Sequence, residues 1–184
     1  MRILLVLVMT MAFLSSSMFA QADKKRGMRF GYISSKVSKT ELDWLEDFDD
    51  GYKSFYVGFF NDAKLIPLLH LSTGLEYYQT GQKLNDSNKL ILHYISLPLG
   101  LKLKLGPVQA FGGVHGAVKV SSRLTLLGES APAKDIGTFD AGTFVGAGLK
   151  ILFIGIEAKY TWGLVDIDDG YKNNFWQVGL TLWF

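Results

Sequence analysis

The sequence predicts an all-β fold: an eight-stranded antiparallel transmembrane β-barrel with short periplasmic turns at one rim and longer extracellular loops at the other. Three observations support this prediction. Apolar and polar residues alternate with a period of two, the alternating segments are longer than ordinary globular strands, and short and long connections follow one another along the chain. No segment beyond the N-terminal region has the roughly 18 consecutive apolar residues of a transmembrane helix.

The N-terminal residues have the pattern of a secretory signal peptide. Met1 and Arg2 precede a mostly apolar run over residues 3–14, and Ala20-Gln21-Ala22 fits an A-x-A cleavage site. This run is shorter than the roughly 20 residues that span a bilayer as a helix. We therefore expect residues 1–22 to be a signal peptide and residues 23–184 to form one barrel domain, since no linker-like stretch divides them.

The composition excludes several functional classes. The chain has no cysteine, which rules out disulfide scaffolds, thiol catalysis and cysteine metal sites. The formal net charge of +2 is spread along the sequence without a basic stripe, which argues against a nucleic-acid partner. The three histidines have no Ser or Asp partners at motif spacing, so we expect no enzyme, no catalytic residues, no cofactor and no metal site.

Alternation is clearest over residues 154–164, where every charged residue lies on one face and the other face is apolar. The same pattern predicts eight strands, at about 28–37, 53–60, 66–79, 90–105, 108–121, 139–151, 153–165 and 174–184. Residues 61–64 and 106–107 are predicted tight turns. A hairpin at residues 151–153 is predicted mainly from length, because these residues include no turn-forming type and a single strand over 139–165 would be too long. The even strand count places both termini in the periplasm.

The two faces of these strands indicate which one meets lipid. A soluble eight-stranded cup would carry charges outside, but here the polar face is rich in glycine and sparse in charge, as suits a narrow filled lumen. The residues assigned to this lumen are Glu76, Lys102, Lys104, Lys119, Asp140, Lys150, Glu157 and Lys159, with His70 and His115. We interpret them as salt-bridged filling, with a proton or ion path as the alternative, and expect the loss of Glu157 or Lys159 to destabilise the barrel most.

The lipid-facing residues and the loops suggest anchoring and surface exposure. Tyr77, Tyr160, Trp162 and Trp176 form a predicted aromatic belt near the loop rim, with His93 also on the lipid face. Residues 38–52, 80–89, 122–138 and 166–173 are predicted loops. The first is acidic and could cover the barrel mouth as a short amphipathic helix, its acidic residues being Glu41, Asp43, Glu46, Asp47, Asp49 and Asp50. Its spacing does not match an EF-hand, so a solvated loop is preferred to a Ca²⁺ site.

A short sequence is repeated in the loops. The pentapeptide Asp-Asp-Gly-Tyr-Lys occurs at residues 49–53 and again at 168–172. We interpret it as a loop-to-strand turn with an interfacial tyrosine, and a shared cation site is the alternative.

The last strand has the form of the β-signal by which outer-membrane barrels are presented to the barrel-assembly machinery. Its polar, glycine, hydrophobic and aromatic positions are Gln177, Gly179, Leu182 and Phe184. At the level of whole segments, residues 94–102, 106–113, 139–149 and 71–77 resemble the PorT-like "porin family" outer-membrane barrels of Bacteroidetes. The first strand, with Arg29-Phe30-Gly31-Tyr32, matches this family weakly. The resemblance implies an eight-stranded barrel but no single activity.

These observations together predict a non-enzymatic protein of the cell outer membrane with a structural or binding role. The alternatives are a narrow channel or a secretion-linked accessory barrel, and a soluble periplasmic binder is a third class. The expected partners are outer-membrane lipid and, during insertion, the assembly machinery. The sequence identifies no extracellular or periplasmic protein partner.

Overall fold

The computed structural model describes residues 24–38, 52–85, 88–126, 129–132, 138–165 and 172–184. These residues form nine strands, β1 (Lys24–Ser38), β2 (Tyr52–Lys64), β3 (Leu69–Asn85), β4 (Asn88–Leu105), β5 (Val108–Leu126), β6 (Glu129–Pro132), β7 (Phe139–Ile151), β8 (Ile154–Gly163) and β9 (Lys172–Trp183). The predicted signal peptide, the acidic residues of the first loop and most of both copies of the repeated pentapeptide lie outside the described residues.

Eight of these strands close into an antiparallel barrel. The pairing runs from β4 through β3, β2 and β1 to β9, β8, β7 and β5, and β5 pairs again with β4. The remaining strand, β6, lies outside the barrel circuit and pairs only with the far end of β5, from Arg123↔Pro132 to Leu126↔Glu129. The predicted eight-stranded barrel is therefore confirmed. Closure pairs the backbone polar groups that an open sheet would leave exposed to lipid.

The seam between the first and last strands is fully paired. β1 and β9 are in register from Gly27↔Trp183 to Ser38↔Lys172, and the backbone N–H of Phe184 donates to Arg26 at 3.0 Å. Strand β1 matches the sequence family weakly, yet it has a complete partner on each side. We call the end of the barrel that holds Lys24 and Phe184 the turn end and the opposite end the loop end.

Several predicted connections are wrong in position. Residues 61–64 belong to β2, and the turn that follows occupies residues 65–68. Much of the predicted loops 80–89 and 122–138 is strand, because the β3–β4 and β5–β6 hairpins stay paired beyond the apolar band. Polar side chains signal the end of the membrane-facing segment, but backbone pairing does not need to stop there. No helix among the described ranges is long and apolar enough to cross a membrane.

The β7–β8 hairpin is confirmed, although it has no turn-forming residues. Ile151 pairs with Ile154 across a two-residue turn, and Leu152 adopts a φ of 57°. An L-residue in this left-handed region costs roughly 1–2 kcal/mol. In the β4–β5 turn the same conformation falls on Gly106, with a φ of 64°, where no Cβ opposes it.

The strands have one apolar face and one packed polar face. Large apolar side chains on the outer face are exposed, including Phe59, Leu75, Leu99, Val114, Val145 and Ile156. The alternate side chains point inward and fill the lumen. Several of them lie over a glycine of a neighbouring strand. A Cβ on Gly27 would lie 2.4 Å from the ring of Phe60, and one on Gly146 would lie 2.5 Å from that of Phe111. The glycine-rich face therefore makes room for aromatic rings inside a narrow barrel.

Candidate functional site

The middle of the lumen holds a buried charge cluster centred on Glu76 of β3. Glu76 accepts a hydrogen bond from Arg29 of β1 at 3.1 Å and two from Lys159 of β8, each at 3.1 Å. Gln177 of β9 approaches the same carboxylate at 3.5 Å, and Arg29 also lies 3.5 Å from Glu157. Four strands from both halves of the barrel are thus tied together across its axis by groups that are almost fully buried.

A second cluster lies nearer the turn end, around Asp62 of β2. Its carboxylate is 3.1 Å from the Nζ of Lys102 and 2.9 Å from that of Lys104, and it accepts a hydrogen bond from Ser72 at 2.7 Å. Asp62 and Lys102 are buried, whereas Lys104 is partly open. This cluster joins β2, β3 and β4, which are neighbours on one side of the barrel.

Towards the loop end, aromatic and apolar side chains fill the lumen. The rings of Tyr78 and Tyr94 stack with centroids 5.4 Å apart, and Phe175 of β9 lies 5.1 Å from Tyr78 across the barrel. These residues form one buried cluster with Ile33, Tyr56, Leu92 and Ala117. We call this set the aromatic plug, because it brings β3 and β4 into contact with the opposite strand β9.

Hydrogen bonds cross the lumen again beside the aromatic plug. Asn173 of β9 donates to Asp140 of β7 at 3.1 Å and to Thr80 of β3 at 3.3 Å. Ser35 of β1 donates to the carbonyl of Gly81 at 3.2 Å, which draws β1 against β3 at the loop end. At the turn end, the ring of Trp183 lies 5.4 Å from that of Phe60 and 4.2 Å from the Nζ of Lys150. The described lumen is therefore bridged by non-covalent side-chain contacts at several levels.

The sequence-assigned lumen residues divide into those that meet and those that do not. Glu76 and Lys159 meet in one ion pair, and Glu157 meets Arg29. Lys102 belongs to the Asp62 cluster, and Asp140 is buried against Asn173 rather than against a lysine. Lys119 is half-buried. His70 is buried near the turn end, and His115 is buried with its Nδ1 at 3.3 Å from the Ser96 hydroxyl.

Two central residues were absent from the sequence-based set. Arg29 lies in the predicted first strand but outside the predicted lumen set, although its alternation with Phe30 and Tyr32 is a signal for the polar face. Asp62 falls in a predicted tight turn, whose residues have no predicted face. Among the described residues, no group of three or more His, Asp or Glu side chains is arranged to hold a metal ion.

Asp62→Asn is expected to lower the free energy of unfolding by about 1.5–3 kcal/mol, because it replaces a charged acceptor facing two lysines by a neutral one. Urea titration of the refolded barrel in detergent measures this loss. Ser72→Ala is the matched comparison, since it removes only one hydrogen bond to the same carboxylate. Equal unfolding midpoints for Asp62→Asn and wild type would contradict the prediction.

The predicted β-signal residues fall on both faces of β9. Gln177 and Gly179 point into the lumen, whereas Leu182 and Phe184 are on the outer face. A Cβ on Gly179 would lie 2.3 Å from the Phe30 carbonyl oxygen and 2.5 Å from the Tyr56 hydroxyl. Gln177 and Gly179 therefore have packing roles in the finished barrel in addition to any role in recognition.

The outer face carries aromatic residues towards the loop end. The Tyr160 ring lies 4.8 Å from that of Trp162 and 5.0 Å from that of Trp176. On the other side of the barrel, the Tyr77 hydroxyl lies 2.7 Å from the Nδ1 of His93. Trp162, Trp176 and Tyr77 are partly exposed on the outer face, whereas Tyr160 is buried against the two tryptophans. Partly exposed aromatic rings are typical of the membrane–water interface.

Comparison with known proteins agrees with this architecture. Residues 19–169 match the model of the outer membrane protein beta-barrel domain family. The chain belongs to this family. Membership of this family indicates an outer-membrane location. The narrower PorT-like assignment stays a prediction. A search of curated proteins gives no match.

Solved barrels of this family's fold are similar over nearly their whole length. The attachment invasion locus protein Ail of Yersinia pestis is 18% identical with a TM-score of 0.51, and the match covers 87% of this chain and 98% of that one. Neisserial surface protein A is 12% identical with a TM-score of 0.57, covering 88% of this chain and 97% of the other. At these identities the similarity shows the shared fold alone.

Proposed function

We propose that this member of the family is a non-enzymatic integral outer-membrane protein whose role is structural or one of binding, and that it acts through its exterior and its loops. The observation that carries the proposal is the lumen filled and bridged by non-covalent side-chain contacts. Arg29, Glu76 and Lys159 span it in the middle, and the aromatic plug spans it towards the loop end. An eight-stranded barrel has room for little more than its own side chains.

Orientation and partners are part of the same proposal. The turn end, with both ends of the barrel domain, faces the periplasm, and the longer loops face outward. The PorT-like sequence resemblance and the alternation of short and long connections support this arrangement. We further propose that residues 1–22 direct export and that Gln177, Gly179, Leu182 and Phe184 are read by the assembly machinery. A binding role has a precedent in the name of the attachment invasion locus protein.

Planar-bilayer recordings test the filled lumen directly. The purified barrel is expected to give no discrete conductance steps, because ions would have to displace the buried charge cluster and the aromatic plug. A general porin reconstituted in the same way is the positive control, and an untreated bilayer is the negative one. Reproducible steps from the folded barrel would favour the narrow-channel alternative over the proposed role.

A further inference from the structure

The turn between β7 and β8 carries side chains that a turn in water does not favour. Leu152 has a left-handed φ of 57° and is 83% exposed, and its neighbour Phe153 is 60% exposed. Glycine and asparagine are the residues that normally take this conformation in a hairpin. A large apolar side chain at this position indicates surroundings in which an exposed apolar group is stable.

The other two described turns at this end have the same character. Residues 65–68 read Leu-Ile-Pro-Leu, residues 105–108 read Leu-Gly-Pro-Val and residues 151–154 read Ile-Leu-Phe-Ile. We call these three segments the turn-end rim. It contains no polar side chain, and Ile66, Leu105 and Ile151 are among its strongly exposed members. Turns that project into water normally combine glycine and proline with polar side chains, whereas the rim has Pro67, Gly106 and Pro107 but no polar side chain.

The apolar outer face is tall enough to match a lipid-facing band on β4 but is shorter than the band on β8. A lipid-facing band is about 25 Å tall, and tilted antiparallel strands advance roughly 2.6 Å along the barrel axis per residue. On β4 the apolar face runs from Ile95, beside Tyr77, to Leu105, which is about 26 Å. On β8 it runs from Trp162 to Ile154, which is only about 21 Å. Leu152 and Phe153 precede Ile154 at the turn end and extend the shorter apolar face of β8.

We propose that the turn-end rim is embedded in the bilayer, and that its partner is the acyl-chain region of the leaflet at that end. The rim is continuous with the lipid-facing surface at Leu105 and Ile154, so lipid covers both without a polar boundary between them. Lys25, which is exposed at the same end, has the lumen-facing register of β1, opposite the inward-facing Asp62. Water therefore begins at the mouth, and the rim around it stays in lipid.

The absence of cysteine from the chain permits a site-specific test. Leu152→Cys, Ile156→Cys and Lys25→Cys variants would each carry a single nitroxide label in bilayers of dimyristoylphosphatidylcholine. Ile156 is the lipid-facing control on β8 and Lys25 is the water-facing control at the same end. Collision of each label with oxygen, which concentrates in lipid, is compared with collision with a water-soluble nickel chelate. A heat-dependent gel shift verifies that each labelled barrel is folded.

The label at residue 152 is expected to give an oxygen-to-nickel collision ratio nearer to that at residue 156 than to that at residue 25. A ratio on the side of residue 25 would overturn the proposal, because the turn would then lie in water. A label shielded from both reagents would also overturn it, because a second copy of the chain would then be covering the turn. Only lipid and the barrel are present, so a lipid-like ratio has no other source.

Discussion

Replacing Glu76 with alanine is expected to lower the free energy of unfolding by about 3–5 kcal/mol, because it leaves buried cations without their shared partner. Lys159 donates both of its described hydrogen bonds to this carboxylate, and Arg29 keeps only the longer 3.5 Å contact with Glu157. Urea-induced unfolding of the refolded barrel in detergent, followed by tryptophan fluorescence, measures the loss. The heat-dependent shift on gels provides a second, independent measure.

Three further variants distinguish the charge cluster from a general effect of mutation. Lys64→Ala removes an exposed charge and is expected to leave the unfolding midpoint unchanged. Glu157→Ala is expected to cost less than Glu76→Ala, since its described ion pair is the longer contact to Arg29. Glu76→Ala combined with Lys159→Met is expected to be milder than Glu76→Ala alone, because the unpaired cation is gone. A Glu76→Ala barrel with the wild-type midpoint would refute the central role of this residue.

Gly179→Ala is expected to prevent the barrel from closing. The added Cβ would lie 2.3 Å from the Phe30 carbonyl oxygen, a backbone atom of the paired strand that cannot move away without separating β1 from β9. Refolding into detergent from urea, without any assembly machinery, measures the yield of the folded, heat-shifted form. This assay separates packing from signal recognition, since no receptor for the β-signal is present.

Gly116→Ala provides the matched control for that experiment. A Cβ at Gly116 would meet only the edge of the Phe139 ring at 3.8 Å, which is ordinary contact, so normal refolding is expected. Tyr56→Phe removes the hydroxyl near Gly179 but leaves the backbone clash, so it is not expected to rescue Gly179→Ala. Efficient refolding of Gly179→Ala would contradict the packing role of this glycine.

The strand pattern was predictable because each strand meets two different environments. The alternation of Ile154, Ile156 and Ala158 with Gly155 and Glu157 is visible in the sequence because lipid requires an apolar face at every second residue. Strand ends were less predictable. Backbone pairing continues to Lys64 in β2 and to Asn85 in β3, where the side chains are polar and no periodic signal marks the boundary.

The lumen partners were not predictable, because they are distant in the sequence. Glu76 and Lys159 are 83 residues apart, and Lys102 and Asp62 are 40 apart. The face of a strand tells which side chains point inward, but it does not tell which of several carboxylates each cation will meet. That choice depends on register and on the stagger of the closed barrel, in which Glu76 has 3.1 Å contacts with two cations and Glu157 has a 3.5 Å contact with Arg29.

The sequence by itself determined the fold class, the number of barrel strands and the face of each strand that meets lipid, since the local alternation of side chains records the solvent on either side of a sheet. Tertiary structure alone decided the register of the seam between β1 and β9, the roles of Arg29 and Asp62, and the close packing against Gly27, Gly146 and Gly179. Each of these depends on closure, which brings together strands that no local pattern relates. The filled lumen, and with it the proposed role, is a property of the closed barrel.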